Sequence, residues 1–208
     1  QTARAAYGDG KFIVAATLAE SEGSADALAF AARARIADAI MRDDLCLDCL
    51  AKAQATAQSA IAQDPNLAEG YVQLAIAIGF RGRLMSTFEA QSESLVEKGR
   101  AAIDRALELD PLNSWARASL GGWHLEIVHR AGSIVASVVY GANEGDGLKN
   151  FRAALAGEPG SLLLHYHYAL STLALDPERF RDEALATLAA GDKDARTDAL
   201  LAFTRRRA

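Results

Sequence analysis

The sequence predicts an all-α protein built from pairs of helices, and three observations carry that prediction. First, 45 of the 208 residues are Ala and 26 are Leu. Both are strong helix formers, and the β-branched residues that favour strands are scarce. Second, three segments repeat one spacing and each ends in Pro: Ala53–Pro65, Gly99–Pro111 and Gly147–Pro159. Third, a different apolar spacing follows each of those prolines. The composition also excludes several classes. Half of the chain is hydrophobic, which disfavours disorder. Four Pro and 16 Gly are too few for a collagen or a low-complexity linker, and two Cys cannot build a disulfide-dense scaffold. No apolar run reaches the ~18 residues that a membrane helix needs. The net charge of −5 argues against broad electrostatic binding to nucleic acid.

Aligned on the proline, the three segments place a small residue twelve positions earlier: Ala53, Gly99 and Gly147. Eight positions earlier stand the apolar Ala57, Ile103 and Phe151, and five positions earlier Ala60, Ala106 and Ala154. This spacing puts the three positions on one helix face, and the proline stops the helix and starts the next turn. The helices that follow show a bulky residue and then a small one, as in Tyr71–Leu74–Ala75, Leu120–Gly121 and Tyr168–Ala169.

The elements follow in order. Lys11–Glu20 is a short helix ended near Gly23. Ser24 is placed to cap a helix over Ala25–Met41, and Leu47–Gln63 is its partner. Leu67–Leu84 and Leu95–Leu109 form the second pair, with Asn66 and Ser94 as their starts. Asn113–His129 and Glu144–Ala156 form the third, Ser161–Leu175 and Glu178–Ala190 the fourth. Lys193–Phe203 reads as a capping helix, because the open end of a helical array exposes apolar surface. Arg205, Arg206 and Arg207 read as a frayed, solvated tail.

With these residues in place the chain resembles the tetratricopeptide repeat (TPR) proteins. The resemblance implies a single domain over 1–208, a right-handed α-α superhelix of about four TPR-like pairs. Residues 1–23 form an N-terminal segment, 24–65 a degenerate repeat, and 66–111 and 112–159 repeats, with an insertion at 131–146. Residues 160–192 form a further degenerate repeat, and 193–208 the capping helix and basic tail. The gaps between small positions are 21 residues (Ala32 to Ala53), 24 (Ala75 to Gly99) and 26 (Gly121 to Gly147), so long insertions lie within the repeats. That arrangement is similar to bacterial TPR proteins related to the regulator of microtubule dynamics family. The likeness rests on LAIAIGFRG…AIDRALELDP and GGWHLEIVHRAG…YGANEGDGLKNFRAAL. A weaker likeness runs to the T-component of TRAP-type periplasmic transporters.

In such an array the first helix of each pair lines the concave face. The resemblance implies that Val72, Ile76 and Phe80 point inward. So would Trp115, Ala118, Gly122, Leu125, Glu126 and His129, and then Tyr166, Leu170 and Leu173. The set is mostly apolar, where typical peptide-binding grooves of the family are polar. A contiguous apolar patch of this kind marks an interaction site unless the chain covers it. The expected cover is residues 131–143, with Ile134, Val135, Val138, Val139 and Tyr140. An oligomerisation arm and an entrance flap for an apolar ligand are the alternatives.

Residues with chemical potential are few. Cys46 and Cys49 form a C-x-x-C three apart at the start of a helix, but no βαβ context supports thioredoxin-type work and no second Cys pair supports zinc. They read as a local disulfide or as two small buried residues. His124 and His165 lie on neighbouring first helices and could approach one another. Glu126 and His129 read as a polar pair within the groove. The stretch Gly141–Gly147 lacks the Lys-Ser/Thr of a phosphate loop and reads as a turn with N-capping. Asp43 and Asp44 read as loop solvation and capping.

No cofactor, metal site or enzymatic activity is expected. The expected role is a scaffold for a protein or peptide partner of unknown identity. The alternative is a binder of an apolar small molecule assisting a periplasmic transport system. The start at Gln1 fits a removed signal peptide, so an exported or periplasmic setting is expected, with a cytoplasmic one as the alternative.

Overall fold

The computed structural model describes residues 1–42, 46–193 and 198–208, and no strand occurs among them. The helices are α1 (Ala3–Gly8), α2 (Phe12–Glu22), α3 (Ala25–Met41), α4 (Leu47–Gln63), α5 (Ala68–Leu84) and α6 (Thr87–Ser92). They continue with α7 (Leu95–Leu109), α8 (Ser114–Val135), α9 (Glu144–Gly157), α10 (Leu162–Leu175), α11 (Pro177–Gly191) and α12 (Ala199–Arg205). A π-helical turn, Ala136–Tyr140, prolongs α8.

The bounds of α3, α4 and α7 fall where the sequence places them. Ser24 caps α3 through its side chain, which accepts from the Ala27 N–H at 3.2 Å. Asn66 and Ser94 do not act as side-chain caps. Leu67 occupies the N-cap of α5, and Ser94 sits in the left-handed region at φ 52 with no side-chain cap bond. A helix, α12, forms within the span expected to cap the open end of the array, but its residues 199–203 gather with the N-terminal helices instead; residues 194–197 lie outside the described residues, as do Asp43 and Asp44.

Two short helices were not anticipated. Thr2 caps α1 at the N-terminus. Helix α6 fills the insertion of the second repeat, and a capping box starts it. The Ser86 hydroxyl accepts from the Glu89 N–H, and the Glu89 carboxylate accepts from the Ser86 N–H at 2.9 Å.

The chain gathers into two compact units, and the second begins at Leu112, directly after the proline that closes the second repeat. In the first unit α2, α3, α4, α5 and α7 pack in succession, and α3 also touches α5. Much of this packing uses alanine. Ala6, Ala15, Ala16, Ala31 and Ala34 form one cluster with no exposed surface. Small side chains bring helix axes close, which compensates for the little apolar area that each alanine buries. Polar ties cross the layers. Arg35 forks onto Glu20 at 2.7 and 2.8 Å, and Arg81 bridges Gln54 (2.7 Å) and Glu93 (2.8 Å).

In the second unit α8 packs on α9 and α10, and α10 packs on α11. Its core joins Leu125, Leu148, Phe151, Leu164, Tyr168 and Phe180. The small repeat positions do what their spacing predicts. A Cβ on Gly121 would stand 2.6 Å from Phe151 Cδ2 and 2.9 Å from the Gly147 carbonyl oxygen. A Cβ on Gly147 would stand 2.5 Å from Leu125 Cδ2. The two glycines therefore set the close approach of α8 and α9.

Candidate functional site

The first-helix positions divide between the units. In the first unit Val72 is fully enclosed and leaves the proposed surface set. Ile76 and Phe80 are half-buried and pack against Ile36, Ala53 and Ala77, so most of their surface serves the core.

In the second unit Leu125 is also a core residue, not a surface one. It lies against Gly147, on the side of α8 that faces α9. Ala118 is buried in the same core. The remaining positions keep a face. Trp115 from α8 and His167 from α10 meet edge to face at 6.3 Å, and His167 meets Tyr166 at 6.0 Å. Gly122, Glu126, Tyr166 and Leu173 are half-buried, and His129 and Leu170 are exposed. The Glu126 carboxylate takes an ion pair from Arg130 at 2.9 Å, one turn along the helix.

His124 and His165 are engaged separately. His124 Nδ1 accepts from the Asn143 N–H at 3.2 Å. The His165 ring lies 2.7 Å from the Thr187 hydroxyl and 2.9 Å from the Pro159 carbonyl. Both therefore work inside the fold as connectors between elements.

The segment 131–143 departs most from expectation. It was expected to cover the apolar face, but Ile134, Val138 and Val139 are 79%, 81% and 63% exposed, and Val135 is exposed too. Tyr140 is half-buried. The cause is local. Gly132 adopts φ 76 and ψ 156, a conformation open to glycine and strained for other residues, and it turns the chain off the axis of α8. The segment is then fastened by its small residues. Ala136 and Ala142 are fully buried, and the Ala142 N–H donates to the Ala136 carbonyl at 2.9 Å. Asn143 closes the arm. Besides donating to His124, it caps α9 by accepting from the Asp146 N–H at 2.8 Å. The arm thus inverts the usual pattern, with alanines inward and branched aliphatics outward.

One cluster in this unit carries perturbed titration. The Tyr168 hydroxyl donates to the Glu183 carboxylate, which also receives Arg152 at 3.0 Å. Burial pushes the Tyr168 phenol up to about 12, with Glu183 adding to the shift. The same hydrogen bond, followed by Arg152, holds the Glu183 carboxyl below its ordinary value. The three residues tie α9, α10 and α11 together. No group of three His, Cys, Asp or Glu side chains among the described residues is placed to hold a metal ion.

Cys46 and Cys49 are joined by a disulfide, with Cα atoms 5.2 Å apart. Cys46 is the N-cap of α4, and its sulfur accepts from the Cys49 N–H at 3.1 Å.

The chain is an all-α helical-repeat protein with a TPR-like fold. A solved structure similar to it is TTC0263, a thermophilic TPR protein of Thermus thermophilus. The two share 20% identity over 98% of this chain and 92% of that one, with a TM-score of 0.67. At that identity the likeness shows the fold alone. No family model and no curated protein matches the chain.

Proposed function

We propose that this chain is a non-enzymatic scaffold that binds a protein segment carrying apolar side chains. The binding surface is the first-helix face of the second unit, with Trp115, Tyr166, Leu170 and Leu173, together with the arm that prolongs α8. The observation that carries this reading is the inverted arm. Ile134, Val138 and Val139 stay in water while the alanines of the arm take the inward positions. Three large branched side chains held in water are costly by about 1.5–3 kcal/mol each relative to full burial, so a partner that covers them gains affinity. The polar groups on α8, the Glu126–Arg130 pair and the exposed His129, suit orientation rather than chemistry.

A photo-crosslinking side chain placed in turn at Val138, at Leu170 and at the exposed Glu97 of α7 tests this in the cells that make the protein. The expected result is one specific protein adduct from the first two positions and none from the third. Equal labelling at all three, or adducts from Glu97 alone, would contradict it. An apolar small molecule retained in native mass spectrometry would instead favour the ligand-binding alternative.

A further inference from the structure

We propose that the Cys46–Cys49 cystine is an exchangeable redox centre that takes two electrons from dithiols, rather than a permanent brace of the fold. Three observations lead there independently of any partner. The first is the ring it closes. The cysteines are three positions apart and both belong to the start of α4, so the bond joins no separate elements. Closing so short a ring restricts the unfolded chain roughly a hundredfold less than closing a 100-residue loop, so folding does little to protect the bond. The second is the fate of the sulfur after reduction. Cys46 Sγ is the N-cap acceptor for the Cys49 N–H at 3.1 Å, at the positive end of a 17-residue helix. A thiolate is a better acceptor there than a disulfide sulfur, and the helix dipole favours its charge. Reduction therefore improves the cap instead of removing it. The third is access, since both cysteines are only half-buried.

The exchange can be written with its electrons. A thiolate of a dithiol attacks Cys49 Sγ and forms a mixed disulfide. The Cys46–Cys49 bond breaks, and its electron pair leaves on Cys46, the sulfur whose thiolate the helix stabilises. The second thiolate of the reductant then attacks its own sulfur in the mixed disulfide and releases Cys49, which takes up a proton. The dithiol ends as a disulfide and the protein as a dithiol. Helix α4 keeps its cap throughout.

The test is equilibration of the native chain with glutathione buffers of graded ratio, followed by acid quenching, alkylation and mass counting of reduced protein. A permanent structural disulfide resists the glutathione pool. The proposal predicts half-reduction at a glutathione ratio at least hundredfold less reducing than such a bond requires, with unchanged helicity by circular dichroism. A cystine that stays oxidised in millimolar reduced glutathione overturns it. The Cys49→Ala chain gives a second reading, by thiolate absorbance of Cys46. A thiol that titrates clearly below the ordinary range near 8.5 supports the proposal, and one that titrates at or above it overturns it. Should Cys49→Ala fold poorly, Cys49→Ser serves the same measurement.

Discussion

At the scale of single residues, the decisive positions are those where a side chain has no room. Gly121 and Gly122 are neighbours on α8 with opposite demands. A Cβ on Gly121 would overlap Phe151 and the Gly147 carbonyl, whereas one on Gly122 would meet Phe151 Cζ at an ordinary 3.7 Å. Gly121→Ala should therefore cost about 1–3 kcal/mol in chemical denaturation. Gly122→Ala should be neutral or stabilising by up to about 1 kcal/mol, since Ala is the better helix former. Equal effects would show that α8 and α9 do not approach as described. Tyr168 gives a second residue-scale expectation. Its folded pKa lies above the unfolded value of 10, so its contribution is complete below pH 10. That contribution is lost as pH rises through about 12. The stability of the native chain should fall more steeply over this window than that of Tyr168→Phe. At the acid end Glu183 acts with the opposite sign: its lowered pKa stabilises above its unfolded value and fades as pH falls through the folded one. Parallel alkaline profiles for the two chains would count against the buried phenol.

At the scale of elements, what the sequence shows depends on whether the signal is local. Ser24 and the bounds of α3 and α4 were readable because caps and apolar periodicity act within one turn. Helix α6 carried an equally local signal, Ser86 and Glu89 three apart, and could have been found from it. The arm was a different matter. Branched aliphatic residues between two glycines suggest burial, but the choice between Ala136 and Val138 as the inward side chain is made by packing, which spacing does not encode. Leu125 was misplaced for a related reason: a family pattern assigns a face, while the rotation of α8 about its axis is set by the Gly147 contact. Two substitutions test the arm as an element. Gly132→Ala forces a side chain into a positive-φ conformation and should cost about 1–3 kcal/mol. Asn143→Ala removes the α9 cap and should cost about 1 kcal/mol. Thermal melts followed by circular dichroism give both values, and two silent substitutions would show that the arm is not held as described.

At the scale of the whole molecule, an alanine-rich repeat buys closeness between helices, and its bulky apolar residues are few. Their distribution is then informative. In the second unit Phe151, Tyr168 and Phe180 go to the core, while Leu170 and three aliphatics of the arm stay in water. The fold class was legible in the sequence because it depends on composition and period. The surface proposed for binding was not legible in this way, because it depends on which apolar residues the fold leaves uncovered. The central claim, that this uncovered surface binds apolar protein segments, is tested most directly by selecting peptides from a random display library on the native chain. Their affinities are then compared by fluorescence anisotropy for the native chain, Leu170→Asp and Val138→Asp. The account predicts selected peptides with recurring apolar anchors and at least a tenfold loss of affinity in both variants, with helicity unchanged. Selected peptides that bind the two variants as tightly as the native chain would contradict it.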